Sequence, residues 1–100
     1  MRVVTLDAEL EKTIITSLTN GDHGVYLALS PDVMQSVITQ MTDEVKKFKE
    51  LGQVPIILTS QVVRIHFYRL VEQFFPDVYV LSFNEISNNI QIQAVGNITI

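Results

Sequence analysis

The stretch Val54-Pro55-Ile56-Ile57-Leu58-Thr59-Ser60-Gln61-Val62-Val63-Arg64-Ile65-His66-Phe67-Tyr68-Arg69-Leu70-Val71-Glu72-Gln73-Phe74-Phe75-Pro76, with Val78-Tyr79-Val80-Leu81 after it, decides the fold. Val54 to Leu58 is short, apolar and rich in β-branched residues, which predicts a strand. Pro55 has no N–H to give a ladder, so that end of the strand lies at an edge or leaves the sheet. Thr59-Ser60 leads directly into a helical pattern. Val62, Val63, Phe67, Leu70, Val71 and Phe74 form its expected buried face, with Ser60 as the cap and Pro76 ending the segment. Tyr68 and Phe75 fall partly off that stripe. Val78 to Leu81 is a further strand. Strand, helix and strand in succession predict a sheet covered by helices, with right-handed crossovers between parallel neighbours.

Working outward, the same alternation continues. Arg2 to Leu6 reads as an extended segment. Asp7 then caps a first helix, with Glu9 and Glu11 at its positive end and Leu10, Ile14, Ile15 and Leu18 on one side. The turn formers Asn20-Gly21-Asp22-His23-Gly24 stop that helix, and Val25 to Leu29 reads as the next strand. Ser30-Pro31-Asp32 starts the longest helix, whose apolar stripe is Met34, Val37, Ile38, Met41, Val45, Phe48 and Leu51. Gly52 is its expected left-handed terminator. Downstream, Phe83 to Asn89 is a polar connection, and Ile90 to Ile100 alternates like a half-exposed strand. The predicted order is β-α-β-α-β-α-β-β: an α/β chain of two or three layers, with three helices on a mixed sheet of four to five strands. No helix separates the last two strands, which leaves that pair free to run antiparallel.

Length and charge narrow the function. One hundred residues is the size of a single domain, residues 1–100. The formal charge of −4 argues against nucleic acid as the partner, because phosphate binding requires clustered cations. The one basic run, Lys46, Lys47 and Lys49, is interleaved with Asp43, Glu44 and Glu50 and reads as a solvated helix face. No cysteine is present, so disulfides and thiolate chemistry are absent. No apolar stretch approaches the ~20 residues that span a bilayer, so no direct membrane insertion is expected of these residues. The chain begins abruptly in a strand without the apolar core of a signal peptide, which points to a piece of something longer.

No residue pattern indicates catalysis. His23 sits in a turn and His66 on the third helix, neither with a ligand partner at helical spacing. Ser60 lies at a strand-to-helix junction but lacks the flanking glycines of a strained nucleophile elbow. Glu72, Asp77 and Glu85 fall near one end of the sheet without any sign of a desolvated pair. There is no glycine-rich phosphate loop, and no cofactor or metal is expected. The start of the third helix, Thr59-Ser60 with Arg64 one turn in, offers the alternative of a ligand-responsive module that binds an anion or nucleotide. Otherwise the chemistry points to contact surfaces, with Tyr68 and Phe83 as candidate exposed aromatics.

Three motifs carry a resemblance. They are Ser60 to Arg64 at a helix start, Arg69-Leu70-Val71-Glu72-Gln73-Phe74-Phe75-Pro76 at its end, and Leu81-Ser82-Phe83-Asn84-Glu85-Ile86 after the next strand. In this order and spacing, with Ile92-Gln93-Ala94-Val95-Gly96 beyond them, they closely resemble the C-terminal end of the flagellar and type III secretion export-gate proteins, the FlhA-like family. Leu6-Asp7 and Tyr26-Leu27-Ala28-Leu29 before Ser30-Pro31 extend the likeness over nearly the whole chain.

The resemblance implies a non-enzymatic protein-interaction subdomain, the last cytosolic one of a membrane protein in the bacterial inner membrane. It implies a homo-oligomeric cytosolic ring that receives chaperone–substrate complexes and contacts the stalk protein of an ATPase. Within the motifs, Arg64, Tyr68, Phe83, Asn84 and Glu85 are the candidate interaction residues. Two roles stay open for the Asn84-Glu85 loop: holding itself onto the fourth strand, or meeting a neighbouring subunit, subdomain or stalk.

Overall fold

A computed structural model describes all of residues 1–100. The elements are β1 (Arg2–Leu6), α1 (Ala8–Thr16), β2 (Leu18–Gly21), β3 (Gly24–Leu27), α2 (Pro31–Glu50), β4 (Ile56–Thr59), α3 (Gln61–Val71), β5 (Tyr79–Ser82), a 3-10 turn (Phe83–Glu85) and β6 (Gln93–Ile98). The α/β class, the three helices and the combination of parallel and antiparallel pairing follow the sequence reading. The main sheet has the order β5-β4-β1-β6 and is parallel throughout.

The register explains where the core sits. Val4 lies opposite Ile57, and Ile57 opposite Val80, so these three point to one face. Leu6 and Ile98 pair on that same face. All five belong to the buried cluster that also takes Leu10 and Ile14 from α1, Val37, Met41, Val45 and Phe48 from α2, and Val63, Phe67 and Val71 from α3. The helices therefore share one side of the sheet, as right-handed crossovers β1→β4 and β4→β5 in the same direction require. Each fully buried apolar side chain of this layer contributes roughly 1.5–3 kcal/mol relative to exposure.

Helix ends follow local chemistry. Asp7 Oδ2 accepts from the Glu9 N–H at 3.1 Å, and Ser30 Oγ from the Val33 N–H at 3.4 Å. Gly52, at φ +67°, takes the left-handed conformation after α2 that a side chain would strain. The Gln40 amide grips the end of β6: its Nε2 donates to the Thr99 carbonyl at 2.7 Å, and its Oε1 accepts from the Thr99 N–H at 2.9 Å. Gly96 is small where the Glu44 carboxylate of α2 lies against the sheet.

Several expectations are corrected. α1 stops at Thr16, and Leu18 belongs to a strand instead. Leu18–Gly21 and Gly24–Leu27 form a separate antiparallel hairpin, turned by Asp22-His23 and by Gly24 at φ +109°. Val25 is thus not part of a strand in the main sheet. The last two strands are not neighbours: β5 and β6 lie at opposite edges. The connection between them must run back across β4 and β1, and right-handedness puts it on the face opposite the helices. A register shift between Val3 and Val4, opposite Ala94 and Gly96, breaks the simple alternation of β6.

The apolar stripes also need amending. Leu51 is exposed and Ile38 only partly buried. Val62 is exposed, and Phe74 is 53% exposed although its spacing placed it in the core. α3 ends at Val71, whose carbonyl accepts from the N–H groups of both Phe74 and Phe75. In this tightened turn the 3.6-residue period no longer holds, and Phe75, not Phe74, packs on the core.

Candidate protein-interaction site

Parallel strands β4 and β5 both finish at the C-terminal end of the sheet, with Thr59 opposite Ser82, so the segments leaving them meet there. After β4 comes Ser60 and the first turn of α3; after β5 comes the 3-10 turn Phe83–Glu85. The Glu85 carboxylate folds back on its own turn: Oε1 accepts from the Ser82 N–H and from Ser82 Oγ, each at 3.1 Å. Arg64 Nε lies 3.1 Å from the same oxygen. These donors stabilise the charged carboxylate and hold Glu85 below the usual carboxylate range, the Ser82 N–H contributing most and the Arg64 charge least. Asn84 Nδ2 donates to Gln61 Oε1 at 2.7 Å, a second tie between the turn and α3.

Of the candidate residues, four are brought together: Arg64, Asn84 and Glu85 as a polar clamp, with Phe83 in the same turn. The Phe83 ring is 56% exposed. Tyr68 sits one turn further along α3, toward the opposite end of the strands. Together with Tyr79, Val54 and Pro76 it lines a groove there. The Glu72 carboxylate raises the Tyr68 phenol above its ordinary pKa, first by hydrogen bonding and then by its charge. Gln61 and Ser82 are members of the clamp that the sequence reading did not single out. The pattern Ser82-x-x-Glu85 carries the signal that would have found one of them, since a hydroxyl three residues before a glutamate is a helix-start signature.

At the alternative anion site, the start of α3, a carboxylate of the chain itself is already close. The Ser60 N–H donates to Glu11 Oε2 of α1 at 3.0 Å. Thr59 is buried with its hydroxyl donated to the Ser60 carbonyl, and Arg64 faces Glu85. Ser60 stands at the N-cap with extended backbone, yet its hydroxyl makes no capping bond, contrary to expectation. No three His, Asp or Glu side chains converge as a metal-binding group. Nor is any helix long and apolar enough to cross a membrane.

The clamp therefore offers a fixed, partly charged surface with one exposed aromatic. Comparison with known proteins gives it a family: residues 1–91 match the FHIPEP family. The chain belongs to that family. Among its relatives is the flagellar biosynthesis protein FlhA of Bacillus subtilis (strain 168), 34% identical over 100 residues; the match covers 100% of this chain and 15% of that protein. The Chlamydia pneumoniae CdsV protein superposes with a TM-score of 0.84 at 35% identity, covering 98% of this chain and 28% of the solved one. A chain of the solved CdsV and CdsO complex gives the same TM-score, 0.84, at 36% identity, with 98% and 29% covered. Nonameric EPEC SctV-C superposes at 0.81 and 26% identity, with 97% and 28% covered. This FHIPEP-family chain thus corresponds to a small part of each relative, one of which is named for flagellar biosynthesis.

Proposed function

We propose that this chain is the last cytosolic subdomain of a type III export-gate protein, and that it acts as a protein-contact module rather than as an enzyme. The observation carrying the proposal is the clamp at the ends of β4 and β5. Arg64, Glu85, Ser82, Asn84 and Gln61 tie a short turn to the start of α3, and that turn presents Phe83 to solvent. Order imposed beforehand lowers the entropic cost of association, and an exposed aromatic supplies the contact area.

The FlhA-like relatives support the wider setting. The protein would sit on the cytoplasmic side of the bacterial inner membrane in a homo-oligomeric ring, as a nonamer is described for SctV-C. Its partners would be neighbouring subunits and subdomains and the stalk protein of the export ATPase, with CdsV solved together with CdsO as the analogy. Chaperone–substrate complexes would be received by the ring as a whole. The clamp surface is assigned to contact within this assembly, in preference to a purely structural role for the Asn84-Glu85 loop.

The test is pull-down of the ATPase stalk protein by the full cytosolic region, with and without this segment, and with Phe83→Ala in place. Loss of capture in the deletion and weakened capture in Phe83→Ala are expected. Undiminished binding, together with normal export after deletion, would sink the idea.

A further inference from the structure

The flank of α3 away from the clamp borders a groove that the sequence motifs do not mark. One wall is β3 of the hairpin, with Val25, Tyr26 and Leu27; Met34 of α2 and Leu70 line it between; His66, Arg69, Gln73 and Phe74 form the other wall. The cleft is about 300 Å³ and keeps large apolar groups in water: Val25 is 44% exposed, Tyr26 52% and Phe74 53%. Val25, Tyr26 and Phe74 are not members of the core cluster, whereas Leu27 at the base of the groove packs against it. The Tyr26 wall is set in place by its neighbour. Its ring lies so close over Gly21 that a Cβ there would be 2.9 Å from the ring.

Charge gives the groove a direction. The chain carries a net −4, yet no carboxylate lines this cleft; its basic lining groups are Arg69 and His66. Arg69 takes part in none of the three ion pairs of the chain, which are Lys47–Glu44, Lys49–Asp77 and Arg64–Glu85. An apolar trough with an unpaired guanidinium on its rim suits an amphipathic helix whose apolar side fills the trough and whose carboxylate meets Arg69. We infer that this groove is a docking site for an acidic amphipathic helical segment of a partner protein. The surface is separate from the clamp, so the two assignments stand or fall apart.

Titrating the isotope-labelled 100-residue chain with two synthetic helical peptides tests this by NMR. The peptides share one leucine-and-phenylalanine face and differ only in carrying Glu or Lys along its border. The Glu peptide is expected to shift the amides of Val25, Leu27, Arg69 and Phe74 and to bind at least about tenfold more tightly than the Lys peptide, the scale of a steering and pairing charge contact. Arg69→Glu should reverse that preference, and Phe74→Ala should weaken both peptides; both side chains are exposed, so folding is retained. Equal binding of the two peptides, shifts elsewhere on the surface, or no binding would overturn the inference. Concentration-dependent shifts at the same amides without peptide would assign the groove to a second copy of the chain and overturn it too.

Discussion

Phe67 and Phe74 lie one heptad apart on α3 and its exit, remove the same ring when changed to alanine, and belong to the same stripe in the sequence. In the structure they part company: Phe67 is 0% exposed and Phe74 53%. Phe67→Ala removes a ring from the centre of the layer between α3 and the sheet, where the transfer term and the cavity left behind together cost about 3–5 kcal/mol. A domain of this size holds about 5–15 kcal/mol in total, so the variant stays at the margin of folding. Phe74→Ala takes a ring that is already half in water, with no enclosed cavity left behind, and should cost less than about 1 kcal/mol. Urea denaturation of both variants, fitted at a common slope, gives the two costs directly from the shift in midpoint. Phe75→Ala, whose ring packs partly on the core, should fall between them. If Phe74→Ala proved as costly as Phe67→Ala, α3 would have to continue past Val71 and the exit turn described here would be wrong.

The Glu85 carboxylate, followed by carbon-detected NMR, should titrate below the ordinary glutamate value of about 4.3. Its folded pKa is depressed, so its contribution to stability is present above the unfolded pKa and is lost as pH falls through the folded one. Ser82→Ala should raise that pKa part-way to normal, and Arg64→Ala should raise it by less. Tyr68, read by ultraviolet absorbance, should ionise above the usual phenol value of about 10. That stabilisation is complete below the unfolded pKa and disappears as pH rises through the folded one, and Glu72→Gln should reduce the elevation. Gly52→Ala meets open space but must adopt φ +67°, so it should cost about 1 kcal/mol in the same urea assay.

The elements that could be read from sequence were those whose signal is local. Asp7 and Ser30 cap helices because their side-chain oxygens reach an N–H two or three residues on, and Gly52 ends α2 by backbone freedom alone. The β4–α3–β5 unit was legible for the same reason: each piece lies beside the next. What escaped was pairing. Leu18 to Leu27 contains enough apolar residues to resemble a helix end followed by a sheet strand, and its antiparallel pairing, from Leu18 opposite Leu27 to Gly21 opposite Gly24, makes it a hairpin apart from the sheet. The position of β6 was hidden because a strand's neighbour is set by tertiary packing, not by its own pattern. At the candidate site, Arg64, Phe83, Asn84 and Glu85 came from motifs, whereas Gln61, Ser82 and Glu11 entered through contacts between segments remote in sequence or through a short turn.

The two surfaces of α3 arise from one feature of the helix. Val63, Phe67, Leu70 and Val71 are buried along a single line, which locks the helix against the sheet and leaves its flanks free for other work. On one flank Arg64 and Gln61 hold the turn after β5; on the other His66, Arg69 and Phe74 border the hairpin groove. A helix whose buried line is fully packed has little freedom to rotate, so both flanks present their side chains in fixed positions. At its start the Ser60 N–H donates to Glu11 and the Arg64 side chain pairs with Glu85, so two carboxylates of the chain itself already lie beside this helix end. The surface left exposed on either side is aromatic and apolar with single charges at its edge, and that combination is suited to contact with other polypeptides.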